Sequence, residues 1–476
     1  MRYTEIAIAK PFEGAPMINI ADVFGASAEK PLLLKIPVTG ERPIQYSALG
    51  LPAGLLLENG IISGRVAKEG AYPITLIAEN RLGKAEKKLT LEIKNDTVLL
   101  TPLLGFTSWN AFGSAVSQEK ILHAAQKIHE LGISEYGYSF INVDSGWQKE
   151  YGGEFDAIMP NEKFPDMKEM CDKIHTLGLK CGIYSTPMLT AWGCPDEFES
   201  IPGCTVGEAD ICYPDTNGGI GVIHKEENNA KQWAHWGFDY LKYDWSPCDP
   251  VNAELMRKAL IATDRDFGYC VTVTAQHCHH RYWEKYCNSY RCNADSSGKW
   301  ENLLGVYRTY FDFIDCINKG HYFDLDMLDV GHCVSAHTFN KYTEDEQLVS
   351  YSVRAFLGSP IQISSDLDKI DEFELSMYCN EEIIAINQDS AFSAAKPYIM
   401  LENGKKIIHV FGKVLSDGGY ALAAFNMGET AENVNIYLDK TATVRDVWAK
   451  KDIGQMDTVN ISMPPHTVRI FKVKKA

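Results

Sequence analysis

Residues 239–245, Asp239-Tyr240-Leu241-Lys242-Tyr243-Asp244-Trp245, continue into Ser246-Pro247-Cys248-Asp249-Pro250. Tyr240, Leu241 and Tyr243 are the apolar and aromatic residues of a strand buried on both faces. Lys242 and Asp244 are two apart, so both side chains leave the same face of that strand. Asp249 suits a helix N-cap and Pro250 the first helical turn. The stretch thus predicts a strand, a carboxylate at its carboxyl end, and a helix that starts at once. That is one βα unit of a barrel, and barrel active sites lie at this edge.

Outward from this unit, eight candidate strands fall at 105–109, 138–144, 181–185, 240–244, 270–274, 290–295, 324–328 and 361–365. Helical patterns separate them. Ile121, Ala125 and Ile128 share a face after the cap Ser117, and Asp166 with Glu169 reads as a capping box. Such alternation over ~290 residues predicts a (β/α)8 TIM barrel rather than an open doubly wound sheet. No GxGxxG or Walker pattern supports a nucleotide fold. The connection over 186–226 is long, rich in Pro, Gly, Cys and Asp, and without clear periodicity; it is placed at the barrel mouth.

The flanks have a different texture. Runs such as 32–38 and 72–78, separated by Gly, Pro and Asn turns, predict an N-terminal β-sandwich over 1–98. The barrel is assigned to 103–391, and strand runs at 407–411, 420–425, 434–438 and 468–473 place a C-terminal antiparallel β-sandwich over 392–476. Both flanking domains are expected to be structural.

The formal charge is 46 − 63 = −17, and no basic run occurs. This argues against nucleic acid or an anionic membrane as partner and suits a neutral substrate such as a sugar. No apolar run approaches the ~18 residues of a membrane span. The first residues lack a secretory pattern, so the expectation is a cytoplasmic protein, or a periplasmic or secreted one whose leader has been removed. Thirteen cysteines without repeated CxxC spacing indicate neither a full disulfide framework nor a zinc ribbon.

Four predicted strands end in carboxylates: Asp144, Asp244, Asp295 and the pair Asp324/Asp326. Acidic residues are seldom buried without a task, so their convergence on one mouth points to a site. Two carboxylates on opposite sides of a pocket are what glycoside hydrolysis needs. Asp244 on strand four has Lys242 on its face to keep it ionised, and Asp295 follows Arg291 by four. Trp109, Asn110, Asp144 and Trp147 add aromatic faces and hydrogen-bonding groups suited to a pyranose.

The motifs GFTSWN, INVDSGWQ, FPDMKEMCDKIHTLGLKCGIYS, WAHWGFDYLKYDW, YCNSYRCNADSSGKW, DLDMLDVG and IIAINQD together resemble glycoside hydrolase family 27, the α-galactosidases and α-N-acetylgalactosaminidases of clan D. The resemblance spans roughly 103–395 and, more loosely, the remainder. The stretch GIISG…GAYPITLIAEN resembles immunoglobulin-like modules found beside bacterial carbohydrate enzymes. The family resemblance implies Asp244 as nucleophile and Asp295 as acid/base. Lys242 and Arg291 would bind sugar hydroxyls, and Trp109, Tyr184, Asp326 and Met327 would form the walls and floor of the sugar pocket. It also implies retention through a covalent glycosyl-aspartate, with carboxyls ~5–5.5 Å apart, and no metal or other cofactor.

Two departures bear on specificity. The family places adjacent aspartates after strand two to grip O4 and O6, whereas this chain has Asp144-Ser145. After strand five Gln276 would fill the position that reads the C2 substituent. For the family's disulfide, Cys248 with Cys194, Cys204 or Cys212, or Cys278 with Cys287, are the candidates. A metal reading of His277-Cys278-His279-His280 is set aside, because contiguous ligands cannot all converge on one ion.

The expected function is a retaining exo-acting α-galactosidase working on an oligosaccharide or glycoconjugate. β-L-Arabinopyranosidase and α-N-acetylgalactosaminidase are the alternatives within the class, and a non-catalytic carbohydrate-binding protein is the alternative outside it. A homo-oligomer is left open.

Overall fold

A computed structural model describes residues 2–192, 201–212, 218–272, 274–334 and 341–475. Eight parallel strands make the central sheet: β1 (Leu104–Thr107), β2 (Phe140–Val143), β3 (Lys180–Ser185), β4 (Tyr240–Asp244), β5 (Gly268–Thr272), β6 (Ser289–Arg291), β7 (Tyr322–Asp324) and β8 (Ile361–Ile363). Their order is β7-β6-β5-β4-β3-β2-β1-β8. Just beyond β7, Leu328 N–H donates to Gln362 O of β8 at 2.8 Å, linking the two ends of the sheet as a closed barrel requires. Gly182 in β3 is needed for close approach, since a Cβ there would lie 1.8 Å from Asn142 Oδ1.

Local sequence signals set the helices. Ser117 Oγ accepts from Lys120 N–H to cap Gln118–Glu130, and Asp166 accepts from Glu169 N–H to cap Met167–Thr176. Asp249 accepts from Val251 and Asn252 N–H with Pro250 in the first turn, so the helix Pro250–Ile261 follows β4 at once. Ile121, Ala125 and Ile128 pack into the core between helices and sheet.

The N-terminal region forms a four-stranded sheet and a three-stranded sheet around Val38, Ile62, Leu76, Ala78 and Leu91, all fully buried. It docks on the amino-terminal face of the barrel, opposite the strand ends that carry the predicted site. Glu135, just before β2, is buried there; Lys35 at 2.9 Å, Arg42 at 3.3 Å and Val38 N–H at 3.1 Å grip its carboxylate. Asp266, just before β5, accepts from Ser27 N–H at 2.7 Å.

The C-terminal strands, from Lys396–Asn403 to Thr467–Lys475, form one six-stranded antiparallel sheet. Its strand Glu432–Asp446 shifts register between Tyr437 and Ala442, where it changes from one partner strand to two. A strap made of the first residues joins all three regions. Tyr3 N–H donates to Asp345 on the barrel, Thr4 Oγ1 to Val468 O of the C-terminal sheet, Ala7 N–H to Trp448 O in a turn of that sheet, and Ala9 N–H to Ser376 Oγ. Pro11 O then accepts from Gly40 N–H of the N-terminal region.

The Cys278–Cys287 pairing does not form: both thiols are free, one exposed and one buried. They flank the seven-residue helix His280–Tyr286, ~10 Å long at 1.5 Å per residue and too far for the ~7 Å Cα limit of a disulfide. Cys204 and Cys212 are also free, and Cys194 lies outside the described residues. No helix among the described residues is long and apolar enough to cross a membrane.

Candidate active site

The carboxyl ends of β1 to β7 enclose a cavity of about 420 Å3. Trp109 enters it from the short helix Trp109–Phe112 after β1, Asp144 and Ser145 from the end of β2, and Tyr184 from β3. Lys242 and Asp244 come from β4, Arg291 from β6 with Asp295 in the loop beyond, and Asp326 and Met327 from the loop after β7. Gln276 is not part of the lining. It is exposed; its carbonyl accepts from Trp283 Nε1 and its side chain meets Cys278, so the loop turns outward. Thr274, two residues earlier, lines the cavity instead, at a φ of 62° that β-branched residues seldom adopt. The Thr274 and Ser246 hydroxyls share a hydrogen bond of 2.9 Å across the cavity wall.

The cavity holds four carboxylates against two cations, Lys242 and Arg291. Lys242 Nζ donates to Asp144 Oδ2 at 2.8 Å and lies 5.5 Å above the Tyr184 ring. Burial alone would lower its pKa, but Asp144 and Asp244 raise it beyond the usual lysine range. Asp144 is anchored further: its N–H donates to Ser108 Oγ and its Oδ1 accepts from Ser145 N–H. Ser145 donates its hydroxyl proton to the Trp192 carbonyl, so toward the cavity it presents lone pairs.

Asp244 is 9 % exposed, and its Oδ1 has no hydrogen-bond partner among the described residues. Burial pushes its pKa up to about 7; Lys242 and Arg291 pull it down, while Asp295 and Asp144 push it up. Lys242 favours the ionised form of this carboxylate, as its place on the same strand face suggests, but it is bonded to Asp144 and desolvation outweighs its field.

Arg291 is 4 % exposed and forks between two carboxylates. Nη1 donates to Asp326 Oδ1 at 2.7 Å and Nη2 to Asp295 Oδ1 at 2.5 Å. Asp295 is the solvent-facing member, with its side chain 66 % exposed. For Asp326, burial works against ionisation, but Arg291, Lys242 and the Ser296 N–H hold its carboxyl below the usual range. The loop carrying Asp295 is fixed by Asn302, which accepts from Ser297 N–H and donates to Asp295 O.

Trp192, Ser246, Thr274, Ala294 and Ser296 also line the cavity and were not singled out from sequence. Ser246 and Ser296 stand two and one residues after the carboxylates Asp244 and Asp295, a proximity that could have flagged them. Trp192 lies in the aperiodic connection and gave no signal. The His277–His280 segment packs outward, with His277 stacked on His280 and set edge-on to Phe313. No group of three metal-ligating side chains occurs among the described residues.

A family profile described as "Alpha galactosidase A" matches residues 109–389, more than half of the chain, and one described as "Alpha galactosidase C-terminal beta sandwich domain" matches 405–473. The chain belongs to the α-galactosidase A family. This is glycoside hydrolase family 27, and the chain is a glycoside hydrolase by that membership. Among relatives of this family member, the α-galactosidase A of Cellvibrio japonicus is 26% identical over 413 residues, covering 80% of this chain and 93% of that protein. A Bacteroides fragilis protein provisionally named an α-galactosidase/melibiase superposes with a TM-score of 0.85 at 29% identity, covering 98% of this chain and 99% of that one. A family 27 β-L-arabinopyranosidase of Geobacillus stearothermophilus, solved with arabinose, shares the fold at a TM-score of 0.69 and 22% identity, covering 79% and 97% of the two chains.

Proposed function

We propose that this family member removes terminal α-galactosyl residues from oligosaccharides or glycoconjugates by double displacement, with Asp244 as nucleophile and Asp295 as acid/base. The observation that carries the reading is the contrast between the two carboxylates in one cavity. Asp244 is buried at the end of β4 with an Oδ1 that has no hydrogen-bond partner among the described residues, and Asp295 is exposed on the arm of Arg291. A nucleophile has to reach the anomeric carbon inside the pocket, whereas an acid/base has to meet the leaving oxygen and then water at its rim.

In the first step Asp244 attacks the anomeric carbon while Asp295 gives its proton to the glycosidic oxygen, and the aglycone leaves as an alcohol. In the second, Asp295 takes a proton from water, which attacks the anomeric carbon of the glycosyl–Asp244 ester; Asp244 leaves as a carboxylate, Asp295 is again protonated, and the configuration is retained. Lys242, bonded to Asp144, and Arg291, bonded to Asp326, offer charge-assisted hydrogen bonds to the sugar hydroxyls. Trp109, Tyr184 and Met327 supply the apolar faces.

The test is release of nitrophenol from nitrophenyl α-galactoside by the wild type beside Asp244→Asn. Turnover abolished by the substitution supports the reading, and no turnover by the folded wild type overturns it. A second reading, β-L-arabinopyranosidase, is favoured by Ser145, whose hydroxyl proton is already committed to Trp192. Comparison of kcat/KM on the two aryl glycosides separates the two.

A further inference from the structure

Arg354 lies beneath the cavity floor, at the carboxyl end of the helix Glu344–Leu357 that joins β7 to β8, and is 0% exposed. Each nitrogen of its guanidinium is engaged. Nε donates to Asp326 O at 2.8 Å; Nη1 donates to Ser350 O at 3.0 Å and to Ser350 Oγ at 2.8 Å. Nη2 donates to Met327 O at 3.1 Å and to Ser296 Oγ at 3.3 Å. Its counter-charge is Asp329, also fully buried, at 3.7 Å. Asp329 in turn accepts from Ser350 Oγ, from Gly298 N–H and from the Tyr342 hydroxyl.

These bonds reach both loops that build the floor and the acid/base arm. Ser296, adjacent to Asp295, donates from its N–H and its hydroxyl to Asp326 Oδ2 at 2.8 and 2.9 Å. Asp326 itself has a φ of 73°, a left-handed backbone that is uncommon outside glycine, and its Oδ1 accepts from Met327 N–H at 2.8 Å. Arg354 holds the carbonyl groups of Asp326 and of its neighbour Met327, while Asp324 Oδ1 accepts from the Asp326 N–H at 2.8 Å. A buried ion pair is a poor source of net stability, since desolvation offsets its attraction. This pair is placed where geometry, rather than stability, is the gain.

We propose that Arg354 is a positioning residue for the sugar pocket: it locks the loops after β6 and β7 into one rigid floor, so that Asp326 and Arg291 meet the sugar at fixed places. The proposal rests on the α-galactosidase reading for its substrate but not for its geometry. Lysine cannot replace the planar fork, because its compact ammonium cannot hold two successive carbonyls and a hydroxyl at once.

The experiment compares wild type, Arg354→Lys and Ser296→Ala for kcat, KM and thermal midpoint on nitrophenyl α-galactoside, together with a crystal structure of Arg354→Lys. Misplaced binding groups should raise KM about tenfold or more in Arg354→Lys, with a smaller change in kcat. Ser296→Ala, which removes one link between the loops, should shift KM the same way by less. In the crystal structure Asp326 should leave its positive φ. A folded Arg354→Lys with KM within twofold of wild type and Asp326 unmoved overturns the proposal, whatever happens to the thermal midpoint. Should Arg354→Lys not fold, an unchanged KM in Ser296→Ala overturns it. A wild type without turnover rejects the substrate reading instead, and the Asp326 backbone in the variant still decides the positioning role.

Discussion

Lys242 gives its ammonium to Asp144, at 2.8 Å, and not to Asp244, the carboxylate two residues along its own strand. The nucleophile candidate thus sits in the field of two cations, with no partner for its Oδ1 among the described residues, and burial pushes its pKa up to about 7. An ionised Asp244 is what attack requires, so kcat/KM should fall as pH drops below about 7. Asp144→Asn removes a charge that raises this pKa and frees Lys242, so the acid limb should move to lower pH. A pH–rate profile of wild type and variant checks the direction; an acid limb that stays in place would remove Asp144 from the control of Asp244.

The same shift has a stability consequence. A carboxyl whose pKa is raised on folding adds stability that is fully present below the unfolded value near 4. That stability is lost as pH rises through about 7. At 1.36 kcal/mol per unit, the loss amounts to roughly 4 kcal/mol across that window. Asp244→Asn should keep the fold, lose turnover by several orders of magnitude, and gain on wild type in denaturant midpoint between pH 4 and pH 8. A constant difference between the two proteins over that range would show that Asp244 does not titrate high.

Asp295→Asn should depend on the leaving group. Acid assistance matters little when the departing alcohol is already a good leaving group, so aryl glycosides should be largely spared in the first step while alkyl glycosides and oligosaccharides lose most of their rate. Rates on a series of leaving groups decide, and equal losses across the series would reassign Asp295.

Ser145 can serve the sugar in two ways that one substitution tells apart. Ser145→Ala deletes a lone-pair acceptor and a bond to Trp192 O, for about 1 kcal/mol or a several-fold rise in KM. If Ser145 faces O4, galactoside and arabinopyranoside suffer alike, since both carry that hydroxyl. If it acts through Trp192 on the C5 substituent, KM rises for the galactoside alone.

Glu135→Ala should destabilise the protein by about 3 kcal/mol, because Lys35 and Arg42 lose the carboxylate between them. kcat and KM of the folded fraction should remain those of wild type, as Glu135 sits on the barrel face opposite the cavity. Denaturant titration and steady-state kinetics on the same sample read both.

The sequence made the barrel legible because its strands are short apolar runs closed by polar residues. The 240–244 strand coincides with β4, where Asp249 and Pro250 mark the next helix. Elsewhere the ends slipped. The runs 138–144 and 290–295 overran β2 and β6, which stop at Val143 and Arg291. A strand buried on both faces shows no alternation to say where pairing ends, so Asp144 and Asp295 were read as strand residues when they stand in loops. The cavity lining was legible where a motif fixed spacing, as at Lys242 and Asp244. It was not at Gln276, because the direction a loop takes after β5 depends on the Trp283 and Cys278 contacts of its far end. Trp192 and Arg354 were invisible for the same reason: each acts through partners distant in the chain.

The strap of residues 3–11 stitches the barrel, the C-terminal domain and the N-terminal region with backbone and side-chain hydrogen bonds. Three regions that look separable along the chain are therefore one cooperative unit thermodynamically. Calorimetry should record a single heat-absorption peak rather than three. Cutting the chain near residue 98 would yield not a minimal catalytic domain but a barrel stripped of the thread that holds its last sheet in place.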